Sequence, residues 1–145
     1  MNKVMFSSKS MGLSTPQPVF EMLDKEFCFT LDPCAAEDNH KCEKWYSEAD
    51  NGLAKSWAGE RVFCNPPYGR QLGKWVEKCY REVYERGCPL VVMLIPARTD
   101  TRWFHGYIYH RAEIRFLRGR LYFGGMSTPA PFPSMVVIFR GIGVS

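Results

Sequence analysis

The run LVVMLIPA, residues 90–97, restricts the fold more than any other stretch of this chain. It is continuously apolar, with no polar alternation. That is the pattern of a strand covered on both faces in a parallel sheet. Such a strand needs helices on either side. Leu72, Trp75, Val76, Cys79, Tyr80, Val83 and Tyr84 recur at helical spacing and predict one helix over 72–86, ended by Gly87 with Pro89 beyond it. STPQPVFEMLDKEF, residues 14–27, predicts another. Thr15 or Ser14 is its expected cap, Pro16 suits the first turn, and Val19, Phe20 and Leu23 form its apolar stripe.

Shorter strands are expected in FCFTLDP (27–33), RVFC (61–64), EIRFL (113–117) and SMVVIF (134–139), and RLYF (120–123) is a further candidate. TDTRWFHGYIYH (99–110) reads as a short helix capped by Thr99 or Asp100, and residues 34–60 as polar and broken, with a turn at EADNG. Strands alternating with helices argue for a three-layer α/β domain with a mostly parallel sheet. One domain is expected over 14–145, behind a loosely ordered lead-in at 1–13.

Composition excludes several classes. Apolar residues at 46% and charged residues at 23% mark a folded chain, not a disordered one. No apolar run is long enough to span a bilayer, and the N-terminus lacks a signal-peptide core, so no membrane association and a cytoplasmic location are expected. The six cysteines form no C-x-x-C pair and read as reduced thiols. Cys28, Cys34, His40 and Cys42 lie close in sequence, but their spacing matches no common zinc knuckle, and no metal is expected. The net charge of +4 permits an anionic partner. Arg98, Arg102, Arg111, Arg115, Arg118 and Arg120 gather in the second half, as a solvated face or a nucleic-acid surface.

In α/β sheets ligands bind beyond the carboxyl ends of strands. Two polar residues are expected there: Asp32, before Pro33, and Asn65, which opens NPPY in VFCNPPYGR (62–70). The asparagine side chain and the Pro66 carbonyl are hydrogen-bond acceptors held at a fixed angle by two prolines, and Tyr68 adds a flat π-face. That is a receptor for a planar group bearing an NH2. The plainer alternative is a proline-rich turn.

The series TPQPVF, FTLDPCA, EADNGLAKSW, VFCNPPYG, VVMLIPARTDTRWFH and IRFLRGRLYF occurs in this order. It resembles the phage-type, Dam-like DNA N6-adenine methyltransferases over about residues 14–140. The resemblance implies an abbreviated Rossmann-like fold, S-adenosylmethionine as cofactor and double-stranded DNA as partner, in a bacterial host cytoplasm. It implies that Asn65 and Pro66 accept the N6 amine of a flipped adenine and that Tyr68 stacks on the base. Thr15, Pro16, Phe20, Asp32, Asp50 and Asn65 are the implied cofactor contacts. Asp50 also reads as a turn residue, and Glu37, Asn39 and Glu48 compete for the ribose. Arg70, Arg98, Arg102, Arg118 and Arg120 are the implied DNA contacts. Trp103, Phe104, Tyr107 and Tyr109 either wedge between bases or pack under the sheet.

DPCAA stands where larger adenine methyltransferases carry a glycine-rich loop, and the Asp32–Asp50 interval is too short for the usual helix and second strand. Other readings remain: a methyltransferase on cytosine N4, RNA adenine or a glutamine amide, or an inactive DNA-binding module.

Overall fold

The apolar run forms a strand in which every residue from Leu90 to Pro96 is buried, within a sheet of six strands. The structure, a computed structural model, describes residues 13–145. Residues 1–12 of the expected lead-in lie outside the described residues; Leu13, at its end, is buried against the core. The strands are β1 (Leu31–Asp32), β2 (Lys44–Trp45), β3 (Arg61–Cys64), β4 (Leu90–Pro96), β5 (Glu113–Phe116) and β6 (Ser134–Arg140). The helices are α1 (Gln17–Phe27) and α2 (Leu72–Glu85).

The sheet order is β2-β1-β3-β4-β6-β5. The first four strands run parallel, β6 runs against β4, and β5 runs against β6. β5 therefore points the same way as β4. Register assigns the faces. Phe63 lies beside Val92 and Val92 beside Ile138, so these share one face, and Phe139 faces the other way. Phe20 of α1 meets Phe63 edge-on at 5.2 Å, whereas Tyr80 and Tyr84 of α2 meet Phe139 at 6.2 and 6.3 Å. The helices thus cover opposite faces. The result is the expected three-layer, mostly parallel sheet of a Rossmann-like methyltransferase fold.

Several local expectations differ. Thr15 does not cap α1: Pro16 stands at the N-cap, and its carbonyl accepts the Val19 and Phe20 N–H groups. The segment after β4 is capped by Thr101, whose hydroxyl accepts the Phe104 N–H at 3.2 Å, and it winds as a π-helical turn over Phe104–Ile108. RLYF is not a strand among the described residues; Gly124, just beyond it, makes an isolated bridge to Ser14. A second strand does follow β1 with no helix between, because β2 is only two residues long.

α2 buries a charged pair. Glu82 is 1% exposed and accepts the Trp57 N–H at 2.7 Å, Lys78 at 3.0 Å and Arg86 at 3.1 Å. Lys78 also donates to the Lys55 carbonyl and lies over the Trp57 ring. These bonds pin residues 55–57 to the helix, so the irregular segment before β3 has a fixed path. Gly52 closes that path onto the loop after β1. A Cβ there would fall 2.1 Å from the Pro33 carbonyl oxygen, so only glycine permits the contact. Among the described residues, no helix is long and apolar enough to cross a membrane.

Candidate active site

Asn65 follows the last residue of β3 and is 1% exposed. Its Nδ2 donates to the Leu13 carbonyl at 3.2 Å and to Thr15 Oγ1 at 3.0 Å. A carbonyl can only accept, so the nitrogen side of the amide faces Leu13 and the oxygen side is fixed the other way. There Oδ1 accepts the Tyr68 hydroxyl at 2.7 Å, with the Leu94 carbonyl a second acceptor for the same hydroxyl at 3.1 Å. Burial pushes the Tyr68 hydroxyl well above its ordinary value; the nearby Cys64 and Cys34 add to this and Arg98 opposes it. It therefore stays a protonated donor. The ring is 7% exposed, with Phe123 and Phe132 packed at steep angles, centroids 6.1 and 5.6 Å away. Pro66 is buried beside Asn65.

Of the other expected cofactor contacts, Asp32 ends β1, Asp50 lies in the turn beyond β2, and Thr15, Pro16 and Phe20 belong to α1 and its start. Asp32 is 2% exposed, and its carboxylate accepts the Lys41 N–H at 3.0 Å and the Cys34 N–H at 3.4 Å. It thereby organises the loop between β1 and β2. Asp50 is exposed and accepts the Ser47 N–H at 2.9 Å and the Ser47 hydroxyl at 3.0 Å, which lower its pKa. The structure thus gives Asp50 a turn-holding job while leaving it open to solvent. Thr15 is turned onto Asn65, and Phe20 is in the core. Among the ribose candidates, Asn39 bonds Ala36 N–H and reaches Ser14, while Glu37 and Glu48 are exposed.

All five arginines expected to hold DNA are exposed. Arg70 follows β3, Arg98 and Arg102 follow β4, and Arg118 and Arg120 follow β5, so all emerge at the Asn65 end of the sheet. Arg115 does not join them; it pairs with Glu26 and Glu113. Arg111 lies at the other end, with Tyr80, Tyr84 and His110 around a shallow surface hollow. Of the four aromatics at 103–109, Phe104 is buried, Trp103 packs on Gly73 and Tyr107 on Tyr80; Tyr109 alone of the four is exposed. Two aromatics not singled out from sequence, Phe116 and Tyr122, are 64% and 58% exposed beside Arg118 and Arg120.

The cysteines do not converge. Among the described residues no three His, Cys, Asp or Glu side chains are grouped to hold a metal. Burial pushes Cys42 and Cys88 up to about 12, and Cys28, left-handed at the end of α1, is the exposed one of the six.

A family model described as DNA N-6-adenine-methyltransferase (Dam) matches residues 7–142. The DNA N-6-adenine-methyltransferase of Escherichia phage T1 is 34% identical over 110 residues, which is 74% of this chain and 45% of the phage T1 protein. The chain therefore spans less than half the length of that relative. With nearly the whole chain inside the family match, and NPPY at the end of a sheet strand beside a buried central one, this chain belongs to the DNA N-6-adenine-methyltransferase (Dam) family.

Proposed function

We propose that this chain transfers a methyl group from S-adenosylmethionine to the N6 amine of adenine in DNA. One observation carries the reading: both hydrogens of the Asn65 amide have acceptors in Leu13 and Thr15, which leaves its carbonyl turned toward Tyr68. A carbonyl oxygen has two lone pairs, so Oδ1 can accept the amine while keeping Tyr68. With the Pro66 carbonyl it takes both amine hydrogens and leaves the nitrogen lone pair facing outward. An amide turned the other way would present donors to a donor.

The residues present suit the cofactor. Asp32 ends β1, Asn65 follows the neighbouring β3, and Asp50 lies in the turn beyond β2; the cofactor carries an ammonium and an aromatic amine for such carboxylates. When bound, S-adenosylmethionine supplies an electrophilic methyl on a sulfonium. The protein contributes placement, not a covalent intermediate. Tyr68 is covered by Phe123 and Phe132, so a base can reach its ring only when one of these moves aside. Adenine must also leave the duplex stack to enter. Arg70, Arg98, Arg102, Arg118 and Arg120 face the phosphates from the rim, and Phe116 and Tyr122 offer stacking surfaces there.

The test is to incubate the protein with methyl-labelled S-adenosylmethionine and unmethylated DNA, then identify the labelled base. Label in N6-methyladenine, cut ~10²-fold or more by Asn65→Ala with cofactor binding kept, is the expected result. Label in cytosine, or only in RNA or protein, overturns the proposal.

A further inference from the structure

We infer that Thr15 is a positioning residue that, beside the Leu13 carbonyl that sets its orientation, holds the Asn65 amide in place, instead of the cofactor contact implied by its sequence. The inference rests on the reading of Asn65 given above.

Thr15 is 4% exposed and stands just before α1, where a threonine ordinarily caps the helix. The helix makes no side-chain cap bond with its hydroxyl. Pro18 has no N–H, and the Val19 and Phe20 N–H groups are already taken by the Pro16 carbonyl. The hydroxyl oxygen instead accepts Asn65 Nδ2 at 3.0 Å, while the Leu13 carbonyl takes the second hydrogen at 3.2 Å. Two partners on one short strap therefore hold an amide about fifty positions further along the chain.

The strap is itself fixed. Its middle residue, Ser14, accepts the Gly124 N–H at 2.9 Å. A Cβ on Gly124 would stand 3.3 Å from the Ser14 Cβ, a tight contact, so glycine at 124 eases the close approach of the two segments. Leu13 and Thr15 thus have an anchor besides Asn65 itself. Without the Thr15 hydroxyl one amide hydrogen is left unpaired in a buried place, and the Leu13 carbonyl alone holds the nitrogen side, so Oδ1 is placed less firmly for the incoming amine.

Thr15→Val keeps the shape and removes the acceptor; Thr15→Ser keeps the acceptor. The measurements are cofactor affinity by calorimetry, and kcat and KM for DNA at saturating cofactor. Thr15→Val should lower kcat ~10-fold, with cofactor affinity and KM near wild type, and Thr15→Ser should restore kcat. If Thr15→Val does not fold, the same comparison between Thr15→Ala and Thr15→Ser decides. A wild-type kcat in the variant lacking the hydroxyl overturns the inference. So does a loss of cofactor affinity whose rate defect vanishes at saturation, because that is the signature of a cofactor contact. Asn65→Ala run in parallel separates the two levels. If it keeps the wild-type rate, the Asn65 reading fails; if it is slow while Thr15→Val is not, only the Thr15 inference fails.

Discussion

Replacing Tyr68 by phenylalanine removes one oxygen and keeps the ring. If the ring face were all the site needs, the change would be silent. The structure gives the hydroxyl a further job, because it lies 2.7 Å from Asn65 Oδ1 and 3.1 Å from the Leu94 carbonyl. It has one hydrogen, so one buried bond is lost. Leaving a buried acceptor unpaired costs about 1–3 kcal/mol, and the lower part of that range applies because Leu13 and Thr15 still hold the amide. About 1–2 kcal/mol in a domain of this size lowers Tm by roughly 3–6 °C. If the same energy is also lost when the amine is held for transfer, the rate falls ~5–30-fold. Thermal melts and single-turnover methylation under saturating cofactor measure the two effects. A Tyr68→Phe protein that melts and turns over like wild type would refute the idea that the hydroxyl holds the amide.

Removing Glu82 should cost far more than its distance from Asn65 suggests. Glu82→Ala strands the Lys78 ammonium and the Trp57 N–H, about 3–5 kcal/mol by denaturant melts, while Glu77→Ala on the exposed side of α2 leaves Tm unchanged. Acid unfolding should carry the same signature. Burial works against the Glu82 charge, but Trp57, Lys78 and Arg86 outweigh it and hold its pKa below 4.5. Its contribution is therefore full above pH 4.5 and is lost as pH falls through the lowered folded value, so Glu82→Gln should flatten stability against pH in that window. Gly52→Ala must push residue 52 off the Pro33 carbonyl, and both Tm and cofactor affinity should fall; unchanged calorimetry would detach that contact from the cofactor site. Arg118→Ala and Arg120→Ala should each weaken DNA binding uniformly across sequences and reduce the salt slope by about one, read from titrations at several salt concentrations.

What the sequence disclosed depended on how each residue earns its place. β4, β6 and α2 were legible because burial on whole faces writes long apolar patterns. β2 was not, since Lys44 and Trp45 lie on the sheet edge and are too few to alternate. RLYF alternates like a strand because Phe123 turns in to Tyr68 while Tyr122 points out to solvent. The buried pair Lys78 and Glu82 went unnoticed in the sequence, for their partners at 55 and 57 are main-chain groups that no sequence pattern reveals. The same limit hid Leu13, whose carbonyl does its work whatever its side chain. Asn65 and Tyr68 were legible as a candidate site because their side chains themselves bring an acceptor and a ring to the end of a strand. Thr15 was legible as a residue and not as a role, because its spare hydroxyl follows only from how Pro16 and Pro18 begin the helix.

Cys28 has a practical consequence. It lies at the end of α1, where the chain turns back toward the start of β1, on the side of the molecule opposite Asn65. The other five thiols are buried. A maleimide dye or biotin should therefore attach at one point, with no engineered cysteine. Coupled to a slide through that point, every molecule would be tethered by its back and turn the arginine rim to the solution, ready for watching single DNA duplexes arrive and leave.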